Sequence, residues 1–509
     1  MQSANESLGD LAESALLILC GTILGRALGF FGEIIIIRSL NPNMFGEIAF
    51  TYTIVSSVAT IVLLGVHDGV TRKMSGERGS LSKEEIVQSG LIIVLFSASI
   101  SSIVLYLLRN WIAQIAGIMA VSTFLVLFIP YIFLYPLGRI SLGILRAQKQ
   151  SFPAVISQDF ISRLGSIGIL LALTLTGENV LGAIVYWLSV PLLLVLGASI
   201  FIRKNLDLTN ISHHTPSVTS VRELWRFSWP LAGGLAIFLF LRNLDILMIG
   251  YFMDETSVGY YRSIQPLQQI STFILGSFTF IFLPLATKYY DRGMKEELNH
   301  LYNASTKWIL LATTPPVLLF SFFSSDIIRI VYGEAYLSAA TALSVLVGGL
   351  LIRAVTGLNG DVVQAIDQPR IELYSAAVGL CFNFIFNILL IPVFGIVGAA
   401  FSTVMGYAVY NIVETGAIYR ETGITPFALS NIKPIIPTAG FAASLALLTQ
   451  NQLSIPEMVL VGLSLGIIQI LSLFLTRSVE EDDLILFDMF EDKIGFEMER
   501  TREFLRKQI

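Results

Sequence analysis

Residues 86–108, IVQSGLIIVLFSASISSIVLYLL, run for 23 positions without an acidic or basic side chain and are fenced by Lys83-Glu84-Glu85 before and Arg109 after. An α-helix rises about 1.5 Å per residue, so a stretch of this length crosses the roughly 30 Å hydrocarbon core of a bilayer. In that core no water is present to bond the backbone, and a helix satisfies its own amides. The stretch therefore predicts a membrane-spanning helix.

Thirteen further apolar windows fall at about 12–37, 46–66, 115–137, 153–175, 180–202, 228–251, 258–286, 304–324, 336–358, 371–392, 395–419, 431–449 and 456–476. Fourteen spans fit a 509-residue chain that is 54% hydrophobic and 14% charged, where soluble domains carry about 25% charged residues. The connecting segments are too short for a catalytic domain, which needs about fifty residues for a core of its own. Lysine and arginine test the count, because positive charge is retained on the cytoplasmic side. With the N-terminus inside, the cytoplasmic loops and C-terminal tail hold 23 Lys and Arg, and the outer loops hold three, Arg38, Arg109 and Arg329. A missed span would scramble that alternation. The chain is expected in the cytoplasmic membrane, multi-pass, with both termini cytoplasmic. Its first helix is expected to be retained, since MQSANESLGDLAES lacks the cationic region of a secretory signal.

The chain also repeats. Glu33-Ile-Ile-Ile-Ile aligns with Asp245-Ile-Leu-Met-Ile, 212 residues on, and each precedes a glycine–aromatic turn, Phe45-Gly46 to Phe50 and Val258-Gly259-Tyr260-Tyr261. Leu145-Arg146-Ala147-Gln148 aligns with Val363-Gln364-Ala365-Ile366 at an offset of 218, and Leu181-Gly182-Ala183 with Val397-Gly398-Ala399 at 216. Three matches in register predict a six-helix unit present twice. Units with an even number of helices run parallel about an axis along the membrane normal, with a cleft between them as the binding place. The predicted fold is an all-α integral membrane protein of about 14 transmembrane helices, arranged as two pseudo-twofold-related six-helix lobes plus two C-terminal helices. Its segments are a cytoplasmic N-terminal tail (1–11), an N-lobe (12–202), a cytoplasmic inter-lobe linker (203–227), a C-lobe (228–419), helices 13 and 14 (420–476) and a cytoplasmic amphipathic tail (477–509).

An Arg, Lys or Asp at the centre of a spanning helix costs about 2.5–3.5 kcal/mol to insert, so such residues face partners or a wet cavity. Six cations lie within or at the edge of spans, Arg26, Arg163, Arg242, Arg262, Lys307 and Arg353, together with the acids Glu33, Asp159, Asp245, Glu372 and Glu414. Arg26 and Glu33, two helical turns apart, share a face. Asp159 with Arg163 has i,i+4 spacing and Arg242 with Asp245 has i,i+3 spacing, so both are expected to pair. Lys307 and Glu372 are expected to snorkel from span ends. Arg26, Arg242, Arg262 and Arg353, with Asp159 and Arg163, are the candidate substrate-binding set, a cationic cavity suited to an anionic headgroup. Glu33 and Asp245, matched by the repeat, are candidates for ion or proton coupling.

Other chemistry is missing from the sequence. No G-x-x-x-x-G-K-[ST] phosphate loop occurs, which argues against ATP hydrolysis. His67, His213, His214 and His300 all fall between spans, and Cys20 and Cys381 lie in apolar runs. No catalytic residue, metal site or cofactor is expected. The net charge of −5, without a dense basic run, excludes nucleic acid as a partner. The tail ends in Arg500, Arg502, Arg506 and Lys507, which suits contact with anionic membrane lipid.

Several strings resemble the polysaccharide-biosynthesis flippases of the multidrug/oligosaccharidyl-lipid/polysaccharide exporter superfamily. They are Leu40-Asn41-Pro42 with Phe45-Gly46, Gly143-Ile-Leu-Arg-Ala-Gln148, Leu224-Trp-Arg-Phe-Ser-Trp-Pro230, Asp245-Ile-Leu-Met-Ile-Gly250, Tyr332-Gly-Glu-Ala-Tyr336, Asn383 with Asn387 before Ile391-Pro-Val-Phe-Gly395, and Gly398-Ala-Ala400. The resemblance covers roughly residues 12–476. It implies two six-helix lobes opening alternately to either face and moving a polyprenyl-linked saccharide unit from the cytoplasmic to the outer leaflet. A lipid-linked glycan is then the expected substrate, Na⁺ or H⁺ the expected coupling ion, and glycan assembly enzymes the expected neighbours. Two readings within the superfamily compete, a multidrug or cation antiporter and a lipid II (peptidoglycan precursor) flippase. A membrane glycan polymerase or ligase would need a long outer loop, which is not seen.

Overall fold

The computed structural model describes residues 2–63, 65–76, 82–204, 216–449 and 453–480, with the side chains of 2–20, 230–238, 240–241, 270–275, 277 and 280–281 left aside. The amphipathic tail from 481 onward, His213 and His214 lie outside the described residues. Among the described residues there are helices and turns and no strand.

The first unit holds α1 (Gln2–Ser39), α2 (Pro42–Val62), the short α3 (Val66–Ser75), α4 (Lys83–Ala116) and α5 (Val121–Ala147). Next come α6 (Ser151–Val155), a π-helical turn (Ile156–Ile161), α7 (Ser162–Leu175), α8 (Asn179–Ile202) and α9 (Val218–Phe252). Helix α10 (Glu255–Asp291) follows, then α11 (Lys295–Phe322), α12 (Ser324–Val331), a 3₁₀ turn (Glu334–Ala339), α13 (Ala340–Gly348), α14 (Leu350–Thr356) and α15 (Asn359–Ala365). The chain ends with α16 (Pro369–Thr422), α17 (Leu429–Ile432), α18 (Ile435–Thr449) and α19 (Ile455–Leu475). Every apolar window of the sequence falls on one of these helices or on a broken series of them. Nine described helices are long and apolar enough to cross a membrane, or ten if α11 and α12, bent by 80° at their junction, form one span. Helix α16 counts once at 54 residues but carries two predicted windows, and Gly395 breaks it with φ 56° and ψ −138°. The multi-pass all-α architecture thus agrees with the sequence.

Local chemistry sets the helix ends. Asn41 accepts from the Met44 amide at 2.8 Å, with Pro42 next to it in the first turn, where a missing N–H costs nothing. Ser82 with Glu85, and Ser454 with Glu457, close capping boxes at the starts of α4 and α19. Gly117 and Gly423 stop α4 and α16 in the left-handed conformation that glycine adopts without penalty.

The chain divides into two compact units, Met1–Arg262 and Ser263–Ile509. This boundary lies inside α10, after the helices that the repeat assigns to the N-lobe. In the second unit Phe282, Tyr302, Ile309, Leu358, Val362 and Ile418 share one core, and Leu318, Phe323, Ala442, Val461 and Leu465 pack α18 and α19 against α11. Burial of such side chains is worth about 1.5–3 kcal/mol each in water. Between helices in lipid, close packing and hydrogen bonds hold the bundle instead.

Two expectations are corrected here. Lys307 does not snorkel: it is 2% exposed, and its Nζ lies 4.0 Å from Glu480 Oε2. Arg139 and Arg146, placed by the sequence in a loop, belong to α5, which runs ten residues past the predicted end at 137.

Candidate functional site

Helix α1 organises the first unit's polar interior. Gly21, Gly25, Gly29 and Gly32 recur at spacings of four, four and three, which places them on one face. A Cβ at Gly21 would strike Val155, at Gly25 the Asp159 carboxyl, and at Gly32 the Tyr186 ring and hydroxyl. At Gly29 it would meet the Arg163 guanidinium at 3.3 Å. The missing side chains let the π-turn, α7 and α8 lay Asp159, Arg163 and Tyr186 directly against the α1 backbone. Small residues serve this close approach where helices meet in membranes.

Among the described residues Asp159 and Arg163 form no ion pair, contrary to the i,i+4 expectation. The π-helical turn Ile156–Ile161 adds a residue to the winding, so a residue four positions on no longer lies above its partner. Asp159 Oδ1 instead accepts from Gln158 at 3.3 Å, and Arg163 faces the Tyr186 hydroxyl.

A bidentate ion pair of the unit joins elements far apart in sequence. Arg262 of α10 donates from Nη1 to Glu33 Oε2 and from Nη2 to Glu33 Oε1, both at 3.1 Å. Arg262 is 8% exposed, so the planar fork is matched to the carboxylate in a largely dry setting. Asp245, the repeat partner of Glu33, is bound differently: it accepts from the Tyr261 hydroxyl at 2.9 Å and is 3% exposed. Arg242, exposed, makes no ion pair with Asp245 among the described residues, which corrects the i,i+3 expectation. Arg26, exposed, and Arg146 act electrostatically on Asp159. Arg26, Asp159, Arg163, Glu33 and Arg262 therefore form one charged track in the first unit, with three cations against two acids.

Aromatic rings border the track. Tyr52 stacks on Trp187 with centroids 4.5 Å apart and planes 10° from parallel, and its hydroxyl is 3.1 Å from that of Tyr131. Tyr131 stacks in turn on Tyr135. Arg139 Nε is buried without a hydrogen-bond partner.

Beside the track α2 crosses the start of α10 at a contact too tight for any side chain. A Cβ at Gly46 would collide with the Glu255 carbonyl oxygen, and one at Gly259 with the Pro42 carbonyl oxygen. The two glycines are equivalents in the repeat, 213 residues apart, so each plays the other's part in a near-twofold crossing. Asn43 Nδ2 donates to Glu255 Oε1 at 2.7 Å across it.

Arg353 belongs to the second unit. It is exposed on α14, and its electrostatic neighbours are Asp361, Tyr410 and Glu414. Among the described residues no group of three His, Cys, Asp or Glu side chains is arranged to hold a metal ion.

A family model described as polysaccharide biosynthesis protein matches residues 11–290. The probable low-salt glycan biosynthesis flippase Agl15 of Haloferax volcanii is 23% identical over 406 residues, covering 80% of this chain and 83% of that one. An uncharacterized membrane protein of Methanocaldococcus jannaschii is 32% identical over 188 residues, so the chain spans 37% of that relative's length and the match covers 37% of its own. Among solved structures, the lipid II flippase MurJ in an inward closed conformation superposes with a TM-score of 0.72 at 16% identity, covering 89% of this chain and 98% of that one. At that identity the likeness speaks for the fold alone.

Proposed function

The chain belongs to the polysaccharide biosynthesis protein family, and on that premise we propose that it flips a polyprenyl-linked oligosaccharide or polysaccharide repeat unit from the cytoplasmic to the outer leaflet by alternating access. The observation that carries this reading is the charged track of the first unit, with Arg262 held in a bidentate pair by Glu33. A relative named as a glycan biosynthesis flippase, aligned over four fifths of this chain, supports the cargo class.

The chemistry follows from solvation. A phosphate-linked sugar carries charge and hydroxyls that cannot cross about 30 Å of hydrocarbon unaided. Arg26, Arg163 and Arg262 replace water around the phosphate, while the lipid tail remains in the bilayer. Glu33 occupies the Arg262 fork in the resting protein, and an arriving phosphate, with equivalent oxygen geometry and more charge, displaces it. Freed Glu33 then biases the α2–α10 crossing to open, since its closed-state partner is engaged elsewhere. Stacked tyrosine and tryptophan rings beside the track offer apolar faces to sugar C–H groups. The lysine and arginine distribution of the loops supports cytoplasmic termini, with the cytoplasmic membrane as host. Glycan assembly enzymes supply the cargo, and an ion gradient drives the cycle.

Deleting the gene in a strain without paralogues, and assigning lipid-linked glycans to leaflets with an impermeant glycan-modifying probe and mass spectrometry, tests the reading. Intermediates accumulating on the cytoplasmic leaflet with surface glycan lost are expected. Unchanged amounts on both leaflets would reject it in favour of a drug or cation exporter.

A further inference from the structure

We infer that Glu414, in the second unit, is a proton-binding group whose Oε2 takes up and releases one proton in the transport cycle. Glu414 lies eight residues before the end of α16, about 12 Å into the helix. It is 0% exposed. Its Oε1 accepts from the Tyr410 hydroxyl at 3.1 Å, whereas its Oε2 is buried with no hydrogen-bond partner among the described residues.

Charged and titratable groups reach it from several elements. Arg353 of α14, Asp361 of α15 and Glu372 of α16 act on it electrostatically, and Tyr302 of α11 lies beside it. Two further acids thus stand against a single cation, and that cation is exposed. An ionised carboxylate with one oxygen unbonded, in a bundle set in hydrocarbon, is a costly arrangement that a bound cation relieves.

The neighbours decide which cation. Several acceptors of the cluster are already filled by protein donors. Asp361 Oδ2 accepts from Thr279 at 2.8 Å, and Asn411 Oδ1 accepts from Asn359 at 2.9 Å and from Thr356 at 3.2 Å. The Thr356 carbonyl accepts from Tyr302 at 2.7 Å. A metal ion would need about six oxygens and would have to break this network. A proton needs one lone pair, and Glu414 Oε2 has one to give.

The surroundings also supply a route for change. The span is broken between α14 and α15 at Gly357, with φ 61° and ψ −130°, where a Cβ would meet the Thr306 hydroxyl. Interrupted helices are where transporters place ion sites, because such segments move without breaking a regular hydrogen-bond ladder. On protonation an O–H bond forms at Oε2 and the proton comes from water. On release the proton returns to water on the other side, and no other bond changes. The inference names the coupling ion of the proposed flippase, yet proton binding itself can be measured without any cargo.

The test uses the purified full-length protein in phosphatidylcholine liposomes, with the proton as probe. In pH-difference infrared spectra the wild type is expected to show a protonated-carboxyl C=O band, which Glu414→Gln loses and Asp361→Asn keeps. Tyr410→Phe is expected to retain the band but to shift the pH at which it appears, a response that a merely structural glutamate would not give. A band undiminished in Glu414→Gln, with the variant folded by circular dichroism, would overturn the inference. In cells, a protonophore should cut surface glycan at least tenfold in the wild type but leave the residual level of Glu414→Gln unchanged. Equal sensitivity of both would also reject it. If gene deletion leaves lipid-linked glycans untouched, the cargo reading fails while the infrared result still stands.

Discussion

The two units meet the cost of buried charge in opposite ways. In the first, Glu33 is matched by Arg262 with two hydrogen bonds, and cations outnumber acids along the track. In the second, Glu414 is met by one tyrosine hydroxyl, acids outnumber cations, and a carboxylate oxygen is left open. A matched pair can be exchanged for another anion of the same geometry, which suits cargo. An open oxygen can exchange only a small cation, which suits coupling. Both units are helical, and the difference between them lies in which polar residues their helices carry.

The largest expected effect tests the matched pair. Glu33→Ala leaves Arg262 buried without its carboxylate, and removing one partner of a buried pair costs about 3–5 kcal/mol. The double variant Glu33→Ala/Arg262→Ala should cost clearly less, because no orphaned charge remains. Thermal unfolding in liposomes measures both. Transport should separate the two residues: Arg262→Ala removes about 3 kcal/mol of charge-assisted bonding to phosphate, roughly a hundredfold in rate. If the double variant is as unstable as Glu33→Ala, the pair is not a closed exchange unit and the contrast with Glu414 loses one side.

Next in size is the network that fills the second unit's acceptors. Thr279→Val removes the hydroxyl donated to the Asp361 carboxyl, and a lost hydrogen bond to a charged group costs about 1.5–3 kcal/mol. If stability is unchanged, then Asp361 has solvent in place of Thr279 and is as open to a proton as Glu414 Oε2. Thermal unfolding at constant pH decides.

The glycine crossing sharpens the comparison from the side of motion. Gly259→Ala places a Cβ against the Pro42 carbonyl oxygen, backbone against backbone, and such overpacking costs about 1–3 kcal/mol. The α2–α10 contact should open, and a cysteine introduced at Asn43 should label faster with an impermeant thiol reagent. Gly440→Ala, with nothing within 4 Å, should leave labelling as it was. Equal labelling in both variants would mean that the crossing is a fixed weld rather than the part of the first unit that separates.

Much of this architecture is legible in the sequence. Apolar length gave the spans, since hydrocarbon thickness leaves few alternatives, and the repeat offset brought Gly46 and Gly259 into register although their contact could not be foreseen. The side-chain pairings were less legible. Asp159 and Arg163 have regular spacing, but one π-turn rotates them apart, and no residue type announces a π-turn. Arg262 and Glu33 are separated by 229 residues, and sequence alone sorted them into different roles although they form one pair. Asp361 lies three residues past the predicted end of its span at 358, so it read as a loop acid, while Glu414 was visible as an intramembrane acid without its partners. The glycine ladder of α1 was a missed signal: spacings of four, four and three at Gly21, Gly25, Gly29 and Gly32 mark a face for close helix approach.

The smallest effect concerns the one described ion pair in the second unit that spans distant parts of the chain. Lys307 is buried, but its Nζ is 4.0 Å from Glu480, whose side chain is 49% exposed, and Lys307 has other interactions as well. A half-exposed acid at that distance is screened by water and held loosely, so Glu480→Gln should cost less than about 1 kcal/mol in thermal unfolding. That is several-fold below the loss expected for Glu33→Ala. A cost of several kcal/mol would instead make Glu480 a true counterpart of Glu33. Both units would then bury a matched pair, and Glu414 would stand alone as the exception rather than as the rule of its unit.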